Sequence, residues 1–278
     1  AGVDFVTLGG VVSNPRLSKV REGIELCKKE GVDFLLAVGG GSVIDSCKAI
    51  GYGVANPWTD VWNFFLKTET PKACLPVAAI PTIAASGSEM SNSCVITNED
   101  GWLKRGSVKS DLCRPRFALL NPRLTYSLPQ YQTESGCVDI LMHTMERYFV
   151  NIETMEITDS ISESLMQTVI YNARILMKEP GNYNARAEVM WAGSLSHNGL
   201  TGCGTGGGDW ACHQLQHELG GLYDVAHGAG LAAVWGSWAR YVYQENPERF
   251  AQFATNVFDI PCFSDFESTA LAGIEAME

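Results

Sequence analysis

The chain has 278 residues, 46% of them hydrophobic and 18% charged, with a formal net charge of −11. That length buries a sizeable core in two domains or one large one, and the acidic balance argues against nucleic acid and anionic membrane surfaces as partners. No apolar run is long enough to span a bilayer, the opening "AGVDFVTLGG" lacks the features of a secretion signal, and nine scattered cysteines without a CxxC pair point to a reducing, cytoplasmic setting with no disulfide framework.

Asn14–Pro15 reads as a helix start, with Asn as N-cap and Pro in the first turn. Leu17, Val20, Ile24 and Cys27 then fall on one helical face, and the helix stops near Gly31. "VDFLLAV" (32–38) is a short continuous apolar run, the pattern of a strand buried on both faces. It leads into "GGGSVIDSCKAIGYGVA", a glycine turn and a helix starting at Ser42 and ending before Pro57. "CLPVAAIPT" (74–82) predicts a second buried strand, and "SCVIT" (93–97) and "RFALLNP" (116–122) two more. This alternation predicts an α/β layer on a parallel sheet. Past Ser127 the texture becomes helical: patterns run over 131–150, 154–178, 184–200, 209–219, 228–244 and 247–257. We therefore expect an α/β domain over 1–128 and an all-helical domain over 129–278. The glycine-rich "GCGTGGGD" (202–209) reads as a loop between helices.

The chain holds five histidines, and three of them sit in "ACHQLQHELGGLYDVAHGAG" (211–230). His213 and His217 are four apart, on one helical face, and His227 follows a Gly pair that can turn the chain back. Upstream, Asp139 and His143 are again four apart, in "CVDILMHTMERYF". The neighbours of Asp139 are Val138, Ile140, Leu141 and Met142, so its carboxylate needs a partner in an apolar setting. One Asp and two or three His make a ligand set suited to Fe²⁺, Zn²⁺ or a similar ion. A single histidine pair is commonplace decoration; two such pairs and a third histidine argue for a metal. His197 reads as structural, within its helix end.

"LLAVGGGSVID" presents backbone N–H groups and a helix N-terminus to an anion. It is an incomplete dinucleotide fingerprint, because Ile44 holds the third glycine position. Asp45, in the first turns of that helix, can stabilise its N-terminus. In "PTIAASGSEMS", Thr82, Ser86 and Ser88 offer hydroxyls to a ribose, phosphate or carboxamide, or simply form a loop and cap.

Taken together, "GGGSVID", "PTIAASGSE", "FALLNPRLTYSLP", "GCVDILMHTMERY", "NYNARAEVMWAGSLSHNGL" and "DWACHQLQHELGGLYDVAHGAGLAAV" resemble the iron-containing (group III) alcohol dehydrogenase family, nearest its butanol dehydrogenase and NADPH-dependent aldehyde reductase branch. The pieces cover almost the whole chain in family order. The resemblance implies a dehydroquinate synthase-like fold, an α/β dinucleotide-binding domain followed by an all-α metal domain. It implies metal ligands at Asp139, His143, His213 and His227, and places His217 near nicotinamide and substrate as a proton relay. It implies a pyrophosphate cradle at Gly40, Gly41 and Ser42, and cofactor contacts from Thr82, Ser86 and Lys104. Fe²⁺ is the expected ion, with Zn²⁺ as the alternative. The resemblance also implies NADP(H) in preference to NAD(H), a small alcohol or aldehyde as substrate, and a homodimer.

The expected chemistry is hydride transfer between a primary alcohol or aldehyde and nicotinamide, in a cleft between the domains, with Trp210, Phe149 and Tyr223 shaping an apolar pocket. Two departures stand out. Ala85–Ser86 replaces the family's Gly-Thr, and the family's first strand and glycine turn, together with part of its helical C-terminus, are expected outside this stretch. The other readings are a metal-dependent hydrolase using His217 and Glu218, a same-fold polyol dehydrogenase or lyase, and a non-catalytic fragment retaining the metal site. Against the hydrolase, Gln214 stands where a zincin has Glu.

Overall fold

A computed structural model describes residues 2–152 and 155–278 and divides them into two compact units. The first runs up to Thr82, resumes over Ser88–Asn121 and includes Gly221–Asp224; the second takes Ile83–Gly87, Pro122–Gly220 and Val225–Glu278. The division thus falls at Asn121, ahead of residue 128, because the 3-10 turn Pro122–Thr125 packs on a helix of the second unit.

In the first unit, helix α1 (Leu17–Glu30) buries Leu17, Val20, Ile24 and Cys27 as its spacing predicts, and ends on a left-handed Gly31. Its start differs from the expectation. Arg16, without a side-chain cap, precedes the helix. Asn14 is itself left-handed (φ 50°), a conformation Asn tolerates. Its amide donates to Asp224 Oδ1 at 2.9 Å and its side-chain oxygen accepts from Lys104 Nζ at 2.9 Å. These tertiary partners outcompete a cap worth about 1 kcal/mol.

Strand β1 (Leu35–Gly39) leads into helix α2 (Gly41–Ala55) and pairs in parallel with β2 (Val77–Pro81), from Leu35↔Val77 to Gly39↔Pro81. Ala37, Ile44 and Ala79 form the small core between these strands and α2. The expectation of a strand buried on both faces is corrected. Side chains alternate across a strand. Ala37 faces α2, while Leu36 and Val38 remain 50% and 56% exposed on the open face beside the stacked rings of Phe34 and Phe117. The strand expected over 116–122 is a single parallel bridge at Ala118, with Phe117 O accepting from Ala79 N at 3.1 Å and Leu119 N donating to Ala79 O at 2.9 Å. The chain then leaves at Pro122, which has no N–H to continue a ladder. The expected strand over 93–97 is β3 (Val95–Asn98). It pairs antiparallel with β4 (Leu103–Gly106), which the apolar pattern did not mark.

A buried amine ties α2 to the segment that follows β2. Lys48 has no exposed surface. Its Nζ lies 2.6 Å from Ser88 O, 2.9 Å from Ser88 Oγ, 3.1 Å from Ser91 O, 3.0 Å from Ser91 Oγ and 2.9 Å from Ser93 O. Asp45, one turn earlier, accepts from Val95 N at 2.8 Å and from Ser88 Oγ. Burial pushes the Asp45 carboxyl above its usual range, opposed by Lys48. Asp45 and Ser88 therefore hold this segment rather than serving as a helix-end charge and a cap.

The second unit is helical: α3 (Gln130–Tyr148), α4 (Glu156–Leu176), α5 (Tyr183–His197), α6 (Ala211–Tyr223), α7 (His227–Val242), α8 (Pro247–Phe258) and α9 (Phe266–Met277). α6 spends its last turn in the first unit. Thr154, where the second helical pattern begins, lies outside the described residues, as do Ala1 and Glu153. α9 went unmarked in the sequence, although Asp265 caps it by accepting from Ser268 N at 2.7 Å. α3 runs through the centre, buried almost all round. Phe149, just past its end, stacks on Phe250 at 4.3 Å and meets Phe253 edge-on at 5.2 Å. Ile83–Gly87 belongs here because α3 comes close to it: a Cβ at Gly136 would sit 2.2 Å from Ala84 O. Among the described residues all nine cysteines are free thiols, and no helix is long and apolar enough to cross a membrane.

Candidate metal centre

Three helices of the second unit bring the chemistry together. α3 carries Asp139 and His143 one turn apart, α6 carries His213 and His217, and α7 begins at His227. Asp139 Oδ1 lies 3.9 Å from His213 Nε2 and 3.6 Å from His227 Nε2. One donor atom from each of Asp139, His213 and His227 lies within 4.8 Å of the others. Asp139 is 3% exposed, and its Oδ1 accepts no hydrogen bond among the described residues. A buried polar atom in that state costs about 1–3 kcal/mol, and more if charged. A cation between the carboxylate and the imidazoles removes that cost, so the donor set fits a divalent ion of the Fe²⁺ or Zn²⁺ class.

His143, the fourth expected ligand, stands beside this triad rather than in it. Its Nδ1 is 3.0 Å from Asp139 Oδ1 but donates to the Asp139 main-chain carbonyl at 2.9 Å, which ties the ring to its own helix. The ring packs 4.6 Å from that of His213 and 4.1 Å from that of His197. His197, read from the sequence as structural within its helix end, is the last residue of α5 and packs its ring against this cluster. His217 is buried, its ring 6.0 Å from that of His227.

Two supporting side chains escaped the sequence reading. Glu146 Oε1 lies 2.8 Å from His213 Nδ1, within hydrogen-bond distance, and accepts from the His213 main-chain N–H at 2.9 Å. Gln216 Oε1 accepts from His227 Nδ1. Glu146 was findable: it lies seven residues after Asp139 and three after His143, on the same helical face. Burial raises the Glu146 carboxyl above its usual range, opposed by the N–H groups of His213 and Trp210. Burial also lowers the neighbouring Arg147 guanidinium to about 10, against the attraction of Glu146. Arg147 donates to the carbonyls of His143 and Ser196 and lies 4.6 Å over the Trp210 ring.

Of the expected pocket aromatics, Trp210 belongs to the cluster, 5.1 Å from the His213 ring, with its Nε1 donating to Gly207 O at 2.6 Å. Phe149 is core and Tyr223 is exposed, so neither shapes this centre. A close approach sets the position of His227. A Cβ at Gly228 would fall 1.9 Å from Ser135 O on α3. Gly228→Ala is expected to push the start of α7 away from α3, costing roughly 1–3 kcal/mol of stability and weakening zinc binding at least roughly tenfold. Thermal melts and zinc titration check it; unchanged binding would show that this contact does not set the position of His227.

The expected cofactor residues lie apart from this cluster in sequence. Gly40 precedes α2, its carbonyl accepting from Val43 N and Ile44 N, so Gly41 and Ser42 open a helix of 15 residues. Thr82 N donates to Gly39 O at 3.1 Å, holding the end of β2 beside that turn. Lys104, on β4, is buried with its amine on Asn14. Ser86 belongs to the second unit.

In chain order, an α/β unit with a glycine turn is thus followed by a helical unit with a carboxylate–histidine cluster. Residues 1–122 match the iron-containing alcohol dehydrogenase family, and residues 133–278 match the C-terminal domain of the Fe-containing alcohol dehydrogenase family. The chain belongs to this family, with its dehydroquinate synthase-like fold. It is 40% identical over 278 residues to the "Probable NADH-dependent butanol dehydrogenase 1" of Bacillus subtilis, covering all of this chain and 71% of that protein. It is 35% identical over 269 residues to the NADPH-dependent aldehyde reductase YqhD of Escherichia coli, covering 96% and 69%. The crystal structure of NADH-dependent butanol dehydrogenase A from Thermotoga maritima superposes with a TM-score of 0.96 at 40% identity, covering 99% of this chain and 68% of that one. The chain thus spans about seven-tenths of the length of these relatives.

Proposed function

We propose that this protein exchanges a hydride between a nicotinamide cofactor and a small primary alcohol or aldehyde, with a divalent metal held by Asp139, His213 and His227 and by His143 as fourth ligand. The observation that carries this reading is Asp139 Oδ1. It is a buried oxygen without a hydrogen-bond partner among the described residues, and imidazole nitrogens of His143, His213 and His227 lie 3.0, 3.9 and 3.6 Å from it. Fe²⁺ is the ion proposed, with Zn²⁺ as the second choice. Bound there, the ion supplies Lewis-acid polarisation of an alcohol or aldehyde oxygen.

The chain's own residues do the rest. Asp139 offsets the charge of the ion, and Trp210 gives the centre an apolar wall that limits water. An imidazole nitrogen of His217 takes a proton from solvent and returns it toward the substrate oxygen. Gly40, Gly41 and Ser42 receive the cofactor pyrophosphate on the first N–H groups of α2, where the helix dipole favours an anion. The family resemblance supports Thr82, Ser86 and Lys104 as further cofactor contacts, and Thr82 is the one held beside the glycine turn.

The names of the Bacillus and Thermotoga relatives support NADH as the first cofactor to test, against the sequence expectation of NADPH; the Escherichia relative supports NADPH. Family resemblance supports a homodimer, and nine free thiols support a reducing, cytoplasmic setting.

With Fe²⁺ loaded, we expect butanal to drive NADH oxidation faster than NADPH oxidation, and a chelator to abolish both. Esters and peptides should remain uncleaved. A chain that binds metal stoichiometrically yet oxidises neither nucleotide with any straight-chain aldehyde would be a non-catalytic one.

A further inference from the structure

The histidines around Asp139 share one hydrogen-bond pattern. His143 Nδ1 bonds the Asp139 carbonyl at 2.9 Å, His213 Nδ1 bonds Glu146 Oε1 at 2.8 Å, and His227 Nδ1 bonds Gln216 Oε1. A main-chain carbonyl or side-chain amide oxygen can only accept, so Nδ1 carries the hydrogen at His143 and His227. At His213 the partner is Glu146 Oε1, which also accepts the His213 main-chain N–H at 2.9 Å; an ionised carboxylate has no hydrogen to give, so with Glu146 ionised Nδ1 carries the hydrogen there too. In a neutral imidazole the other nitrogen, Nε2, then bears the lone pair. For His213 and His227, Nε2 is the atom within 4 Å of Asp139 Oδ1.

We propose that Glu146 is a positioning residue. It fixes His213 in the Nδ1–H tautomer and locks the ring to its own peptide before any metal arrives. Gln216 does the same for His227 with a neutral oxygen. The pair differs in charge, and we assign Glu146 the larger share: a carboxylate accepting from a ligand imidazole raises that ligand's basicity more than an amide does. One oxygen serving both the ring and the main chain of the same residue leaves the ring no second orientation that keeps both bonds. This inference rests on the metal reading above and deepens it.

The test has two arms. In the metal-free wild-type protein, ¹⁵N–¹H correlation of histidine-labelled material, assigned with a His213→Gln variant, is expected to show His213 with its proton on Nδ1. In the second arm Co²⁺ is titrated, followed by its visible spectrum. Glu146→Leu, which removes the acceptor, is expected to bind Co²⁺ roughly 10–100-fold more weakly, with a mixed tautomer and an altered spectrum. Glu146→Gln keeps one accepting oxygen and is expected to restore the tautomer and part of the affinity, the rest being lost with the charge. A His213 proton on Nε2 in the metal-free wild type would overturn the proposal, as would a folded Glu146→Leu protein binding Co²⁺ as tightly as wild type. If Glu146→Leu fails to fold, the wild-type tautomer decides alone. A wild type that binds no Co²⁺ sinks the metal reading itself, a result separable from equal binding by wild type and variant.

Discussion

Asp139→Asn is expected to empty the centre while leaving the helices intact. Asn matches Asp in size, so α3 keeps its packing, but the site loses its only carboxylate ligand and places an amide among imidazoles. Metal content by elemental analysis should fall to near background. Turnover should fall on the order of 10³-fold, the equivalent of several kcal/mol of lost charge stabilisation. The stability signature is more specific. In metal-free protein, Asp139 Oδ1 is a buried acceptor without a donor among the described residues. Neutralising it should therefore raise metal-free stability by about 1–3 kcal/mol. With metal present the order inverts, because only the wild type gains binding energy on top of folding. The two proteins' melting temperatures, measured with and without the ion, should cross. Asp139→Asn combined with His227→Ala should lose the remaining affinity. Bound metal and turnover surviving in that double variant would reject the ligand assignment.

The second large effect is on the first unit. Lys48→Met should lower its stability by about 3–5 kcal/mol, the loss expected when one partner of a buried charge network is removed. Methionine fills the channel but supplies no donor. The carbonyls of Ser88, Ser91 and Ser93 then lose the amine they share, and Asp45 keeps a buried carboxylate with its cation gone. The melting temperature of that unit should drop by roughly 10 °C or more, and hydrogen exchange should quicken over Ser88–Val95. Lys48→Arg should rescue little, because five acceptors converge on a single nitrogen. Adding Asp45→Asn to Lys48→Met should recover part of the loss, since the stranded charge is gone. A melt within a degree of wild type for Lys48→Met would show that the cage adds nothing net.

What the sequence revealed followed from local periodicity. The helices of the second unit show through because each buries one stripe, and α3 begins and ends within two residues of its pattern. The pairs Asp139/His143 and His213/His217 were visible for the same reason, because helical faces turn sequence distance into spatial distance; the set Asp139, His143, His213 and His227 came from the family resemblance. Contacts made by tertiary packing were not visible. Asn14 has every mark of a cap, yet its side chain is claimed by Lys104 and Asp224. The apolar run at 32–38 gives no sign of which neighbour is present, so Leu36 and Val38 turned out to lie on an open face. Glu146 and Gln216 resemble ordinary helix-surface residues until a histidine from elsewhere points at them. The hairpin β3–β4 was half missed because Lys104 and Arg105 break the apolar alternation of its second strand.

One stretch of α3 and its end, residues 139–149, supplies a carboxylate and imidazole of the candidate centre, the acceptor that orients a distant histidine, the guanidinium lying over Trp210, and the phenyl ring stacked on Phe250. For anyone shuffling segments between relatives, this stretch travels as one cassette. A crossover anywhere between Glu146 and His213 would part the acceptor from the histidine it was matched to. Joints before Gln130 and after Val242, which carry α3 through α7 together, would exchange the whole instrument with its tuning intact.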